Sequence, residues 1–381
     1  MKRFAALLLC ATLLLSGCAA LGDGFFVSVT PHRQQGAQIW EESVSVENYT
    51  QLCDALKQMV ASGTENGILS VARYDQERID NALRLATQEV KQTDPVAAYA
   101  VESFSYELGT NNGQPAAAIQ IVYTHDRTQI RKIRDVQNAD AAKSVIGQAL
   151  EQCVTGVVLY VEEYTDEDFA QMAEDYADEN PQIVMETPQT TVNIYPESGE
   201  SRVVELRFTY QTSRDILRSM QTQVSSVFDS AAIYVGGYSD EQEKYRQLYA
   251  FLMEFLVEGD YQLETSITPS YSLLRHGVGD AKAFATVYAA MCREAELECK
   301  VVSGTKDGAP WYWNMVQVDG SYYHVDLNRC SASGGYSQWT DDQMGGYVWD
   351  FFGYPESVAP TVPETTAPTE TVPQDTTAPT E

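Results

Sequence analysis

Apolar residues recur with the 3.6-residue period of a helix in two stretches of the region 40–235. The first predicted helix runs from about Val46 to Ala61, and the second begins near Gln76. Their apolar faces consist of Leu52, Leu56, Met59 and Val60 in the first, and of Ile79, Ala82, Leu83 and Ala86 in the second. An apolar stripe along one side is typical of a helix that packs on a core.

A period of two follows the second helix and indicates strands. Phe104, Tyr106 and Leu108 alternate with other residues, as in a strand that buries one face. The segment Gly109–Gln114 predicts a turn, and a second strand is expected over Ala117–Tyr123. Helices and strands therefore alternate, and the region is predicted to be α/β.

A similar order of elements recurs further along the chain. A helix, a strand and a second strand are predicted from the apolar positions Phe169, Met172, Ala173 and Tyr176, then Val192 and Ile194, then Val204, Leu206, Phe208 and Tyr210. Both sets close with Tyr-x-x-x-Arg, at Tyr123 and at Tyr210, which suggests a period near 87 residues. Two explanations stay open, namely two repeated helix, hairpin, helix units or a chance similarity between ordinary layered units.

Short motifs are concentrated between residues 271 and 326. In chain order they are Gly-Val-Gly-Asp280 before Ala281, then Leu-Glu-Cys-Lys-Val-Val-Ser-Gly304, Trp-Tyr-Trp-Asn314, Asp-Gly320 and Tyr-Tyr-His-Val-Asp326. This order resembles the transglutaminase-like family of bacterial surface proteins. The resemblance implies an α+β fold with a papain-like transglutaminase core over residues 236–355, preceded by the α/β region 40–235. The helix predicted from Asp240 to Phe255 belongs to that core.

The resemblance places the family's catalytic residues on three positions. The nucleophilic cysteine falls on Ala281, the basic histidine on Trp311 and the orienting carboxylate on Asp326. Acyl transfer by a thiol requires a thiolate and a nearby imidazole. An alanine methyl cannot attack a carbonyl group, and an indole cannot exchange a proton near neutral pH. We therefore expect no catalytic residue here, and a pseudoenzyme that needs no cofactor.

Other cysteines and histidines of the region are candidates to replace the missing thiol and imidazole. Cys292 lies eleven residues beyond Ala281, which on a helix is roughly 16 Å further along the axis and out of reach. His324 faces the same side of its strand as Asp326, so a rearranged Cys330 and His324 pair stays open. That alternative is an active transglutaminase-like or cysteine-peptidase-like enzyme with relocated residues. Asp280 is predicted to cap the following helix.

Aromatic and polar residues surround the replaced positions and predict a binding site. Trp311 and Tyr312 offer aromatic faces, and Asn314 and Asp326 offer polar contacts, as in sites for sugars or extended peptides. Trp313 is assigned to core packing. The predicted ligand is a peptide or a cell-wall component, and the role is recognition or scaffolding. A purely structural surface protein without a ligand is the third interpretation.

The first residues have the pattern of a bacterial lipoprotein signal. Lys2 and Arg3 precede an apolar run that ends in Leu-Ser-Gly-Cys18, where small residues allow lipidation and cleavage. Residues 1–17 are predicted to be the signal peptide, Cys18 to carry acyl chains such as palmitate, and residues 18–39 to be a linker. The expected location is outside the cell, with lipid anchored in the cell membrane. An ordinary secretory signal is the alternative.

Charge and cysteine content narrow the function further. The chain has 54 acidic and 25 basic residues and a net charge of -29, which repels phosphate backbones and excludes nucleic acid binding.

Five cysteines remain beyond Cys18, and a disulfide from Cys292 or Cys299 to Cys330 is compatible with export. No Cys-x-x-Cys or His-Glu-x-x-His spacing occurs, so we expect no metal.

The final segment, residues 356–381, is rich in proline, threonine and acidic residues. Its few apolar residues cannot bury enough surface to offset the entropy that folding costs. We therefore expect this tail to be disordered.

Overall fold

The computed structural model describes residues 44–255 and 263–358, which form a mixed α+β chain with three four-stranded sheets. The predicted α+β class is thereby confirmed. The signal peptide, Cys18, the linker and the tail beyond residue 358 lie outside the described residues. No helix in the described ranges is both long enough and apolar enough to cross a membrane.

The first unit is an α/β layer built on one sheet. Its elements are β1 (Val44–Ser45), α1 (Tyr49–Ser62), β2 (Asn66–Ser70), α2 (Ile79–Thr93), α3 (Pro95–Ala100), β3 (Val101–Asn111) and β4 (Gln114–Tyr123). The sheet has the order β1-β2-β4-β3, with β1 parallel to β2 and the other pairs antiparallel. The apolar faces predicted for α1 and α2 pack on this sheet and form its core.

Both helices begin about three residues later than predicted. The side chain of Asn48 accepts a hydrogen bond from the backbone N–H of Gln51, so α1 begins at Tyr49 rather than at Val46. Gln76, where α2 was predicted to start, lies in a turn. The side chain of Gln76 donates a hydrogen bond to the carbonyl of Val71 at 2.7 Å. The side-chain cap of Asn48 therefore sets the start of α1, and the turn at Gln76 delays the start of α2.

The second unit has the same strand order as the first. Its elements are α4 (Arg127–Ile130), β5 (Arg134–Val136), α5 (Ala139–Glu151), β6 (Gly156–Val161), α6 (Phe169–Glu179), β7 (Gln189–Tyr195) and β8 (Arg202–Thr209). Its sheet is β5-β6-β8-β7, again with only the first pair parallel. The ring of Tyr99 joins the two units. It stacks on His125, with ring centroids 4.0 Å apart, and it also contacts Tyr195.

The predicted helix, hairpin, helix repeat is not confirmed. Each unit contains a strand, a helix and a parallel strand ahead of the helix that leads into its hairpin. The two Tyr-x-x-x-Arg segments also lead to different structures. After Tyr123 comes a single helical turn, Arg127–Ile130, whereas after Tyr210 comes a helix of 22 residues, Arg214–Val235.

The third unit contains the motifs found between residues 271 and 326. It comprises α7 (Arg214–Val235), α8 (Glu241–Met253), α9 (Pro269–His276), α10 (Ala281–Glu294), β9 (Cys299–Lys306), β10 (Ala309–Val318), β11 (Ser321–Val325), α11 (Leu327–Ala332), a 3-10 turn (Asp341–Gln343) and β12 (Tyr347–Trp349). The sheet order is β11-β10-β9-β12, and all its pairs are antiparallel.

Helix α10 is the central element of this unit. It is buried on nearly all sides, because α7 and α8 cover one side while β9 and β10 cover the other. The hydroxyl of Tyr288 on α10 donates to the carbonyl of Tyr245 on α8 at 2.8 Å, and Tyr245 donates in turn to the carbonyl of Glu298 at 2.7 Å. These buried hydrogen bonds set the position of α10 against the sheet.

Candidate functional site

A tight turn connects α9 to α10 and places Ala281 at the start of α10. Gly277 ends α9 in the left-handed conformation, with a φ of 68°, which suits glycine because it lacks a Cβ atom. The side chain of Asp280 accepts a hydrogen bond from the backbone N–H of Ala283 at 2.9 Å, and the predicted cap is confirmed. Ala281 is the first residue of the helix and is 7% exposed.

Asp326 directly follows β11 and caps α11. One carboxylate oxygen, Oδ1, accepts from the backbone N–H groups of Asn328 at 2.9 Å and Arg329 at 3.1 Å. The other oxygen, Oδ2, accepts from the indole Nε1 of Trp311 at 3.0 Å. The structure therefore joins two of the three positions that the sequence singled out.

Two further donors reach the same carboxylate oxygen. Lys306 Nζ lies 3.2 Å and the hydroxyl of Tyr347 lies 2.6 Å from Oδ2 of Asp326. Asp326 is fully buried, and its charge is balanced by one ammonium group and four neutral donors. Burial, and then the hydrogen bond to Asp326, raise the pKa of Tyr347. A buried carboxylate is stable only with such a set of partners.

The indole of Trp311 has one ring N–H and no basic ring nitrogen. Its ring N–H donates to the carboxylate of Asp326, as a histidine N–H would. The indole has no second ring nitrogen and so has no atom that accepts a proton. The ammonium group of Lys306 lies 4.9 Å from the centre of the Trp311 ring and 5.1 Å from that of Tyr347, which favours a cation–π interaction.

The second unit covers the start of α10. Lys282, next to Ala281, lies 2.7 Å from the carboxylate of Asp178 and 3.2 Å from that of Glu174, both on α6. Its ammonium group also lies 5.7 Å from the centre of the Tyr312 ring. Burial opposes the charge of Lys282, but the two carboxylates outweigh it, and the pKa of Lys282 is raised. The helix start is thus held between two units.

The four predicted ligand-binding residues differ in burial. Trp311 and Tyr312 are half-buried, whereas Asn314 and Asp326 are fully buried. The amide of Asn314 donates to the carbonyl of Ala285 at 2.8 Å, and its oxygen has no partner in the described residues. The binding role of all four stays a prediction.

Comparison with known proteins defines the family of this region. The profile of the transglutaminase-like superfamily matches residues 229–331, which include Ala281, Trp311 and Asp326. Residues 229–331 form a transglutaminase-like domain. No curated protein matches the chain.

The chain also has weak similarity to solved structures. One is a TGase, with 8% identity, a TM-score of 0.25, and coverage of 58% of this chain and 63% of that one. A proposed protease from Parabacteroides distasonis has 12% identity, a TM-score of 0.22 and coverage of 63% and 41%. A proposed cysteine protease from Cytophaga hutchinsonii has 15% identity, a TM-score of 0.23 and coverage of 40% and 65%. The chain thus spans less than two thirds of each of these proteins.

His324 and Cys330 do not pair in the transglutaminase-like domain. His324 is fully buried, and its Nδ1 accepts from Nε1 of Trp313 at 2.9 Å while its Nε2 lies 2.8 Å from Asp341. Cys330 Sγ lies 3.4 Å from the carbonyl oxygen and 3.3 Å from the backbone nitrogen of Ser337. Burial raises the pKa of Cys330 to about 12. The geometry therefore gives no support to a relocated thiol and imidazole pair.

The five cysteines of the described residues are free thiols. A disulfide from Cys292 or Cys299 to Cys330, which the sequence left open, is not formed. Burial, and then the nearby thiol of Cys299, raise the pKa of Cys292 well above its usual range. Protonated thiols of this kind are inert. Among the described residues, no cluster of three or more histidine, cysteine or acidic side chains could hold a metal ion.

Sequence reasoning missed Lys306, Tyr347 and the acidic pair on α6. Lys306 is the last residue of β9 and Tyr347 the first of β12, and these two residues are register partners. A lysine at a strand end and a tyrosine in the closing segment were visible in the sequence. Nothing in the local pattern indicated that both would reach Asp326, because strand pairing alone brings them together.

His324 makes the stability of the domain dependent on pH. Burial lowers the pKa of His324 below its usual 6.5, although Asp341 partly opposes this shift. Below about pH 6.5 the unfolded chain binds a proton at this histidine and the folded chain does not. The free energy of unfolding therefore decreases as the pH is lowered. In urea unfolding at pH 7 and pH 5, we expect His324→Gln to lose less stability than the wild type.

The matched control for this experiment is His276→Gln, which changes an exposed histidine at the end of α9. This variant should keep the pH dependence of the wild type. Equal losses of stability in His324→Gln and the wild type would contradict the assignment.

Proposed function

We propose that this protein is a membrane-anchored, extracytoplasmic lipoprotein whose transglutaminase-like domain performs no acyl transfer and binds a peptide or a cell-wall component. One observation carries the proposal. Trp311 donates to Asp326 at the position where the family has its base, while Ala281 begins the helix where the family has its nucleophile. The frame of the active site is retained and its reactive groups are replaced.

The contacts of Asp326 support the loss of catalysis. An orienting carboxylate has to hold an imidazole that is free to exchange a proton. Here its two oxygens accept five hydrogen bonds, three of them from Trp311, Lys306 and Tyr347. A group with so many partners is a structural centre that positions the Trp311 ring.

The exposed parts of the site support a binding role. Trp311 uses its N–H for Asp326, and Lys306 lies over one face of its ring, so the half-buried ring can offer its other face to a ligand. Tyr312 is half-buried, and its hydroxyl has no partner in the described residues. A half-buried aromatic face suits the apolar part of a peptide or a cell-wall fragment, and a free hydroxyl suits its polar groups.

Membrane anchorage rests on the sequence around Cys18, where an apolar run and a lipobox follow two basic residues. Attached acyl chains would hold the protein at the outer surface of the cell membrane. That location suits a domain that binds peptide or cell-wall components, because those ligands lie outside the cell.

Thermal unfolding of the full chain with cell-wall fragments and short peptides tests the binding role. A ligand that binds the folded state raises the melting temperature by mass action. We expect a rise with at least one cell-wall fragment or peptide, and we expect Trp311→Ala to abolish that rise. Tyr238→Ala, which changes an exposed tyrosine after α7, is the control and should keep it.

Two results would contradict the proposal. The first is glutamine transamidation or peptidase activity of the wild type that thiol alkylation or Cys330→Ser abolishes, because it would show a relocated active site. The second is an unchanged melting temperature with every fragment, which favours a purely structural protein.

A further inference from the structure

A polar groove lies at the far end of the sheet from Trp311. It has a volume of about 760 Å³ and lies between the β10–β11 turn, the start of α8 and the segment 336–343. Its size is typical of small-ligand sites, which span roughly 300–1,000 Å³. Val318 lines the groove and lies seven residues beyond Trp311 on β10, which is about 23 Å along a strand. The groove is therefore separate from the family site.

The walls of the groove are fixed without a ligand. Asp319 and Gly320 form the β10–β11 turn with φ angles of 49° and 80°. The backbone N–H of Trp339 donates to the carbonyl of His324 at 3.0 Å, which ties the segment 336–343 to β11. Reciprocal hydrogen bonds between Thr340 and Gln343 close the end of this segment. A preformed groove loses little entropy when a ligand binds.

Neutral hydrogen-bonding side chains line the groove. Gln242, Ser321 and Tyr323 make no side-chain hydrogen bond with another described residue. The amide nitrogen of Gln338 donates to the hydroxyl of Tyr336 at 3.0 Å, and its amide oxygen is free among these residues. Amide and hydroxyl groups can each serve a ligand that has both donors and acceptors.

Two tyrosine rings supply the apolar part of the groove. Tyr323 and Tyr336 are half-buried, and the Tyr336 ring lies 5.9 Å from that of Tyr249 on α8. Held in place by this contact, Tyr336 offers a rigid aromatic surface. Sugar rings present C–H faces that pack on aromatic surfaces, and their hydroxyls point sideways toward polar groups.

The charge of the groove excludes anionic ligands. Asp319 is the only ionisable acid among the lining residues that the structure describes, and neither lysine nor arginine is among them. The whole chain has a net charge of -29, so its field repels anions as well. The ligand that fits is neutral, rich in hydroxyls and partly apolar.

We propose that this groove binds a neutral saccharide of two or three sugar rings. The tyrosine rings pack on the C–H face of a sugar, and Gln242, Ser321 and Gln338 bind its hydroxyls. The site is independent of the ligand proposed for Trp311, because the two lie at opposite ends of β10. Together they would allow one domain to hold two parts of a wall surface.

Titration calorimetry of the full chain tests this site with defined probes. The neutral probes are cellotriose, maltotriose and the trimer of N-acetylglucosamine, and the anionic probe is trigalacturonate. We expect at least one neutral trisaccharide to bind in the millimolar range or tighter, and trigalacturonate not to bind. Gln338→Ala and Ser321→Ala should each weaken binding about tenfold, since each removes a hydrogen bond to the ligand.

Two controls separate the groove from the rest of the molecule. Gln148→Ala removes an exposed amide on α5 and should leave the affinity unchanged. Trp311→Ala should also keep the saccharide affinity, whether or not the family site has a ligand. The proposal is overturned if no neutral trisaccharide binds, if the groove variants bind as tightly as the wild type, or if Trp311→Ala abolishes binding.

Discussion

Asp326→Ala is expected to lower the free energy of unfolding by about 3–5 kcal/mol, because it removes one partner of a buried ion pair. Lys306 would keep its charge with only 28% of its side chain exposed and no carboxylate beside it. The indole of Trp311 and the hydroxyl of Tyr347 would lose their acceptor in the interior, and α11 would lose its cap. Urea unfolding followed by circular dichroism measures the loss.

The control for this variant is Asp229→Ala on the exposed side of α7, which should change the free energy of unfolding by no more than about 0.5 kcal/mol. If Asp326→Ala were as stable as Asp229→Ala, the five hydrogen bonds to Asp326 would not be formed in the folded protein. A second variant, Lys306→Met, tests the charge balance and should also destabilise the domain, since it leaves the carboxylate without its cation.

The double variant Ala281→Cys, Trp311→His is expected to gain a reactive thiol. The new thiol would lie at the start of α10, where the helix dipole lowers a thiol pKa, and the new imidazole could donate to Asp326 as Trp311 does. Alkylation by iodoacetamide at pH 6, located by mass spectrometry, should be at least about tenfold faster than in Ala281→Cys alone.

The four buried native thiols should contribute little to this signal. Burial raises the pKa of Cys53, Cys153, Cys292 and Cys330, so these groups are protonated at pH 6. The Trp311→His variant, which has no thiol at position 281, is the control for alkylation elsewhere. Equal alkylation rates in the single and double variants would show that Ala281 and Trp311 do not occupy the nucleophile and base positions of the family.

Local sequence patterns predicted about half of the elements of the two N-terminal units. The apolar stripes of α1 and α2 and the alternation in β3 all correspond to elements of the structure. Their starts were less accurate, because Asn48 and the turn at Gln76 compete locally with apolar periodicity. The pairing of β1 with β2 was not predicted, because two residues of strand have no pattern to recognise.

The candidate site was predicted in part. The sequence located Ala281, Trp311 and Asp326 because the surrounding motifs are short and contiguous. It predicted polar ligand contacts from Asn314 and Asp326, but the structure buries both residues and satisfies Asp326 from within the protein. Burial depends on the packing of the whole sheet, which a local motif does not describe.

The sequence by itself determined about half of the helices and strands of the two N-terminal units, and the transglutaminase-like motifs with Ala281, Trp311 and Asp326 among them, because each of these is local in the chain. Only the tertiary structure decided that Lys306 and Tyr347 join Trp311 at Asp326, and that Glu174 and Asp178 hold Lys282 at the start of α10. These contacts join residues far apart in sequence. They form only when the strands pair and the helices pack, since hydrogen bonds and ion pairs require a few ångströms between atoms.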